Sequence, residues 1–139
     1  MGDSGRLPLH VRPKTIEKPW GHEEIFEINP SYVIKKLFIN AGHRLSVQYH
    51  DIKHETLIAV SGKIWLRKGS VGTANAKVAA EWPKDEGTLN KFVLHQGSVE
   101  VIEPCTIHQI IAEEDSIILE CSTPELDDVV RLEDVYGRV

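Results

Sequence analysis

An all-β sandwich or barrel is the fold this sequence predicts, and three observations predict it. Short runs rich in β-branched and aromatic residues recur along the chain. Turn signals separate them, among them Asn29-Pro30, Asn40-Ala41-Gly42 and Ser61-Gly62. Two far-apart segments also carry side chains of metal-ligand type, which can meet only if the sheet closes.

The elements follow in order. Residues 1–13 are rich in Gly, Pro and mixed charge and read as a flexible N-terminal arm; 14–139 reads as a single domain. Ile25 to Ile28 is a first strand signal, and Tyr32 to Ile39 a β-branched and aromatic run. Leu45 to His50 alternates, so Gln48 and His50 point the same way, into the barrel if Val47 and Tyr49 point out. Thr56 to Val60 and Lys63 to Arg67 form a hairpin pair around Ser61-Gly62. Phe92–Leu94, Val99–Ile102, Gln109–Ile111 and Ile117–Glu120 complete the strands. Gly69 to Asn90 breaks the rhythm, with Trp82 as its one large apolar residue, and is expected to be a long loop or extra hairpin that could fold as a lid. The acidic tail from Pro124 could form a short C-terminal helix over Glu125–Leu132.

Composition narrows the function. A chain of 139 residues is one domain long, and a formal charge of −5 argues against nucleic acid, which needs clustered cations. Cys105 and Cys121 are the only cysteines, too few for a disulfide framework. No apolar run reaches membrane-spanning length, and residues 1–13 lack a signal-peptide core, so the expectation is a cytoplasmic protein with reduced thiols and no membrane partner.

Gln48 and His50 share one face of a strand, and Glu55 reaches the same interior if 51–54 is a turn. His108 opens a strand whose face it shares with Ile110 and Ala112. Two imidazoles, a carboxylate and an amide oxygen suit a divalent transition metal. His10, His22, His43 and His95 read as surface or hydrogen-bonded residues.

These residues resemble the cupin superfamily. Gly42, Gln48-Tyr49-His50, Glu55 and Gly62 occupy its first motif, with Gln48 in place of the first His; Gly97 and His108 match the second, with Glu103 and Cys105 at its Pro and Gly positions. The fold this implies is a double-stranded β-helix, a jelly-roll cupin barrel. From 18 to 138 the chain resembles, more narrowly, the type II mannose-6-phosphate isomerase domain. Pro19-Trp20-Gly21, Ile34-Lys35-Lys36-Leu37, Leu45-Ser46-Val47-Gln48-Tyr49-His50, Asp127-Asp128-Val129-Val130-Arg131 and Asp134-Val135-Tyr136-Gly137-Arg138 carry that likeness. Gln48 belongs to the narrower pattern. Lys53 stands where Arg is common, Thr56 where His follows the metal Glu, and 69–90 is longer than usual. The guanylyltransferase domain often fused to this one has no counterpart in these residues.

The resemblance implies an aldose–ketose isomerase acting on a sugar phosphate, mannose 6-phosphate in the type case. It implies a divalent metal held by Gln48, His50, Glu55 and His108, zinc first, with manganese, iron, cobalt or nickel as alternatives. Lys53, His54 and Glu120 are candidates for the proton-transfer role by proximity. Arg44, Lys35, Arg131 and Arg138 are candidates for the phosphate, with Lys36 and Lys53 also nearby. A sugar epimerase, a dioxygenase, or a non-catalytic sugar-phosphate-binding cupin are the competing readings. Analogy with cupins implies a homodimer.

Overall fold

The computed structural model describes residues 12–139; the N-terminal arm expected at 1–13 lies almost wholly outside them. Eleven strands form two antiparallel sheets. The larger sheet has the order β1 (Lys14–Lys18), β2 (Gly21–Ile28), β3 (Val33–Ile39), β10 (Ser116–Ser122), β5 (Glu55–Ser61), β8 (Val99–Ile102). The smaller has β11 (Val130–Glu133), β4 (Val47–Tyr49), β9 (His108–Ala112), β6 (Ile64–Lys68), β7 (Asn90–Leu94). Neighbours in a sheet are far apart in sequence, as when β10 lies between β3 and β5; this is the double-stranded β-helix that the cupin resemblance implied, within the sandwich-or-barrel class that the short strands predicted. Among the described residues no helix is long and apolar enough to cross a membrane.

Alternation builds the core. On β3, Leu37 and Ile39 face inward; on β5, Leu57 and Ala59; on β6, Ile64 and Leu66; all are buried together with Ile102, Ile110 and Ile118. Trp20 caps this cluster at the start of β2. The Pro-Trp-Gly run has a steric cause. Gly21 adopts φ +151°, and a Cβ there would lie 1.9 Å from the Phe38 carbonyl oxygen, inside the β2–β3 pairing. Gly21→Ala is therefore expected to cost more than about 3 kcal/mol, read as a fall in the urea midpoint at unchanged slope.

Three expectations are corrected. The runs on either side of Ser61-Gly62 are no hairpin pair: β5 and β6 lie in different sheets, β5 between β10 and β8 and β6 between β9 and β7. The tail forms no helix: β11 pairs with β4, and residues before it make turns. β4 would otherwise be an edge with unpaired backbone groups, and Val129-Val130 favour a strand. Asp128 also spends its carboxylate on backbone N–H groups of 51–53, a competitor to helical bonding. The segment 69–90 is no lid. It holds the short helix α1 (Ala76–Glu81), capped by the Asn75 side chain, and a 3₁₀ turn at Glu86–Thr88. Val78, Trp82 and Leu89 pack with Val47, Tyr49 and Ile107 on the outer side of the smaller sheet. Val47 and Tyr49 do face away from the barrel, but into this second apolar layer rather than into water. Their burial is what the excursion provides.

Candidate metal centre

Gln48 sits mid-strand on β4, paired with Arg131 on one side and His108 on the other. His50 follows two residues on; the turn 51–54 then delivers Glu55 to the start of β5, on the inward face shared with Leu57 and Ala59. His50, Glu55 and His108 are 3%, 3% and 1% exposed. Nε2 of His50 and of His108 stand 3.5 and 3.2 Å from the same Glu55 Oε1, and all three atoms lie within 4.8 Å of one another.

The far nitrogens fix the chemistry of the near ones. His50 Nδ1 meets the Asp128 carbonyl at 2.6 Å, and His108 Nδ1 the Thr106 carbonyl at 2.9 Å. A carbonyl can only accept, so each Nδ1 carries the proton. In the neutral ring Nε2 is then a lone pair, and both Nε2 atoms are buried without a hydrogen-bond partner. Two lone pairs and a carboxylate oxygen converging in the dry interior make a donor group that could hold a cation. The donor set fits a divalent transition metal. Burial alone would raise the Glu55 carboxyl, but the Lys53 ammonium 3.2 Å from Oε2 opposes this and holds it below the ordinary carboxylate range; the two Nε2 lone pairs have no proton to donate to it. Gln48 Oε1 accepts from Ser46 Oγ at 2.7 Å and keeps a second lone pair, so it can complete the set as the amide oxygen expected there.

Asp128 braces this centre. Its carboxylate accepts the N–H groups of Asp51, Ile52 and Lys53 at 3.0, 2.7 and 2.8 Å, while its carbonyl holds His50. Burial nudges its carboxyl up, but those three N–H groups bring it below its ordinary value. A depressed carboxyl adds stability that is present above the unfolded pKa and lost as pH falls through the folded one. Asp128→Asn is expected to cost about 1–2 kcal/mol at pH 7 and about tenfold in metal affinity. The stability gap should narrow below about pH 4, where wild type loses the same charge. Denaturant midpoints across pH, with metal titrations, check both.

Cys105 has φ +58°, the left-handed region where a non-glycine costs about 1–2 kcal/mol. Its N–H donates to the His50 carbonyl at 2.7 Å. A Gly at this motif position would meet the same turn without strain. The thiol packs in the outer apolar layer, in keeping with a small filler.

A cavity of about 110 Å³ opens beside His50 and Gln48. Lys18, Lys35, Lys53, Arg131 and Arg138 line it against Glu23 and Glu120, so its wall is locally cationic in an acidic chain. Lys53, Glu120, Lys35, Arg131 and Arg138 thus all line this one cavity. Arg44 is not; it lines a separate groove with Arg67 and Glu86. His54 is exposed and faces another groove beside Tyr32. Arg131 Nε is buried without a partner, while Arg138 is gripped by Asp134 through Nε and a terminal nitrogen at 2.7 and 3.0 Å. Tyr136 hydroxyl meets His43 Nδ1 at 2.8 Å and pins the tail to the Gly42 turn. The Asp-x-Tyr-Gly-Arg signature is therefore an anchor that carries Arg138 to the cavity.

A buried chain of alternating charge crosses the cavity floor. Lys53 Nζ lies 3.2 Å from Glu55 Oε2 and 3.2 Å from Glu120 Oε2; Lys35 Nζ lies 3.7 Å from Glu120 and 3.4 Å from Glu23. Burial works against the Lys53 ammonium, but Glu120 and Glu55 outweigh it and hold Lys53 above its ordinary pKa. Lys53 is thus charged at neutral pH and unable to act as a base. Sequence reasoning missed Glu23, Lys18, Ser46 and Asp128; the inward alternation of β2 after Gly21 was the available signal for Glu23.

A closed jelly roll with a buried His/Glu cluster beside a polar cavity defines a cupin with a candidate metal site. Residues 6–134 match the family model described as mannose-6-phosphate isomerase C-terminal, and the chain belongs to that family. It is 29% identical over 136 residues to mannose-1-phosphate guanylyltransferase ManC of Salmonella typhimurium, covering 97% of this chain and 25% of that protein. The chain spans about a quarter of the length of the curated relatives it matches. Among solved structures it superposes on the capsular polysaccharide assembling protein CapF of Staphylococcus aureus with TM-score 0.69 at 16% identity, over 91% of this chain and 33% of that one. An RmlC-like cupin of Shewanella frigidimarina gives TM-score 0.63 at 14% identity, over 83% and 86%.

Proposed function

We propose that this chain is a metal-dependent sugar-phosphate isomerase of the mannose-6-phosphate type. The observation that carries the reading is the pair of buried, tautomer-fixed imidazole nitrogens aimed at one Glu55 oxygen. Gln48, His50, Glu55 and His108 would hold the ion, zinc first. When bound, the ion supplies Lewis-acid stabilisation of the negative oxygen that develops as a proton moves between adjacent carbons. The chain's own groups do the rest. Arg131 and Arg138, with Lys35 and Lys18, offer the phosphate a cationic rim; Arg131 Nε is a donor awaiting an acceptor. Lys53 keeps Glu55 oriented rather than accepting a proton. Glu120 is the candidate for moving the proton, since both of its lysine contacts fall on Oε2 and leave Oε1 available. A coupled assay converting mannose 6-phosphate to fructose 6-phosphate tests this: turnover should vanish on chelation and return with one metal equivalent.

One observation favours a second reading, a binding protein without turnover. Glu23 and Glu120 are both paired with lysine, and Glu55 belongs to the ligand set, so no carboxylate on the cavity is free of a cation. Metal-dependent protection by mannose 6-phosphate in thermal shift, with no product formed, would select it.

A further inference from the structure

A second groove, of about 390 Å³, lies on the outer face of the smaller sheet and shares no lining residue with the metal cavity. Strand alternation separates the two. Arg67 on β6 and Gln109 on β9 are cross-strand partners in the groove, while their neighbours Leu66 and Ile110 point into the core. β11 divides its residues likewise: Arg131 lines the cavity and Leu132 the groove. Arg44, from the segment before β4, and Glu86, from the 3₁₀ turn of the 69–90 excursion, join them.

The two arginines are held unlike solvated surface cations. Gln109 is 5% exposed, and its amide is engaged at both ends. Nε2 donates to the Leu45 carbonyl at 3.1 Å, and Oε1 accepts from an Arg67 terminal nitrogen at 2.9 Å. A buried amide therefore aims Arg67 along the groove. The other Arg67 terminal nitrogen meets Glu86 Oε1 at 3.2 Å, and the Glu86 side chain is half exposed. The remaining carboxylates of the groove are committed elsewhere: Glu133 accepts the Trp82 indole N–H, and Asp134 grips Arg138. Among the described residues no carboxylate stands within ion-pairing distance of Arg44.

We propose that this groove binds a small organic phosphate, its phosphoryl group between Arg44 and Arg67 and its carbon body against Leu132 and Val135. A guanidinium fork matches phosphate oxygens two at a time, and a dianion answers two cations where a carboxylate answers one. Val135 is 69% exposed, and a bound carbon skeleton would remove part of it from water. Glu86 is the internal competitor. Its pair with Arg67 is exposed and weak, so a dianion gripped from two sides displaces it. The site stands apart from the metal and from any turnover in the cavity.

Amide NMR of the full chain, titrated with butyl phosphate and separately with inorganic phosphate, is the test. Leu126 and Val129 report the cavity; Gln109, Leu132 and Val135 report the groove. Butyl phosphate should shift the groove signals to saturation below about 10 mM and bind at least about threefold tighter than inorganic phosphate. Arg44→Ala should weaken the groove constant at least about tenfold and leave the cavity signals' response unchanged. Glu86→Gln should tighten the groove about threefold, because it removes the competitor. Glu17→Gln, exposed on β1 and absent from the groove, should change nothing, which separates a built site from overall charge. Groove signals that stay still at about 50 mM ligand, or a constant that neither Arg44→Ala nor Glu86→Gln moves, overturn the proposal. Equal affinity for the two phosphates overturns the organic ligand.

Discussion

Replacing His108 with Ala should strip the protein of metal and of turnover together. His108 is 1% exposed, its Nδ1 is committed to the Thr106 carbonyl, and its Nε2 is buried without a hydrogen-bond partner, which leaves it free to hold the proposed ion. Losing an outer-shell partner of a metal ligand costs about 10–100-fold in affinity, so losing the ligand itself should exceed about 100-fold. Metal content per chain falls from one to near none at micromolar metal, and the isomerase signal falls with it. Stability gives an independent reading. Metal at about 100 times its dissociation constant adds about 2.7 kcal/mol to wild type and should add almost nothing to the variant. His95, exposed and remote from the cluster, is the control: His95→Ala should change neither quantity. Turnover that survives metal removal in wild type removes the mechanism.

The convergence of these four residues was legible because period-two alternation and a polar turn are enough to aim Gln48, His50 and Glu55 at one interior, and His108 opens its strand. In the structure the same alternation turns Lys35 inward between Val33 and Leu37, where the sequence left Lys35 and Lys36 both open. Gly62 was legible as a turn, and the structure adds the reason: a Cβ there would stand 2.2 Å from Ser116 Oγ. What alternation cannot give is the occupant of a strand's second face. Val47 and Tyr49 point away from the barrel as expected, yet they are buried, because the excursion 69–90 lies across them. Nor does local propensity decide the tail. Residues 125–132 have polar and apolar spacing that a helix could use, but β4 needs an edge partner and the backbone of 51–53 needs the Asp128 carboxylate. Those demands are tertiary. Arg44 illustrates the same limit, since sequence proximity to His50 said nothing of the groove it would line.

Lys53→Met should show that the charge chain supports the centre rather than donates to the chemistry. Lys53 Nζ touches both Glu55 Oε2 and Glu120 Oε2 at 3.2 Å, with 8% of its side chain exposed. Met keeps most of the volume but leaves two buried carboxylates, with Lys35 at 3.7 Å from Glu120 as the remaining cation near them. Removing one partner of a buried pair costs about 3–5 kcal/mol, and that is the expected loss for the metal-free variant at pH 7. The pH dependence separates causes. In wild type Lys53 has a raised pKa, so its contribution is complete below about pH 10 and disappears only in stronger alkali. In the variant the uncompensated carboxylates are raised instead, so its deficit should shrink as pH falls toward about 4 and they take up protons. A bound cation neutralises Glu55 from its other oxygen, so the deficit should also be smaller in the metal-loaded protein than in the metal-free one. Lys53→Arg, which keeps the charge and matches the residue common in the family pattern, should recover most of the loss. Denaturant midpoints at pH 4 and pH 7, with and without metal, check each expectation. A Met variant as stable as wild type at pH 7, yet unable to turn over substrate, would instead place Lys53 in the chemical step.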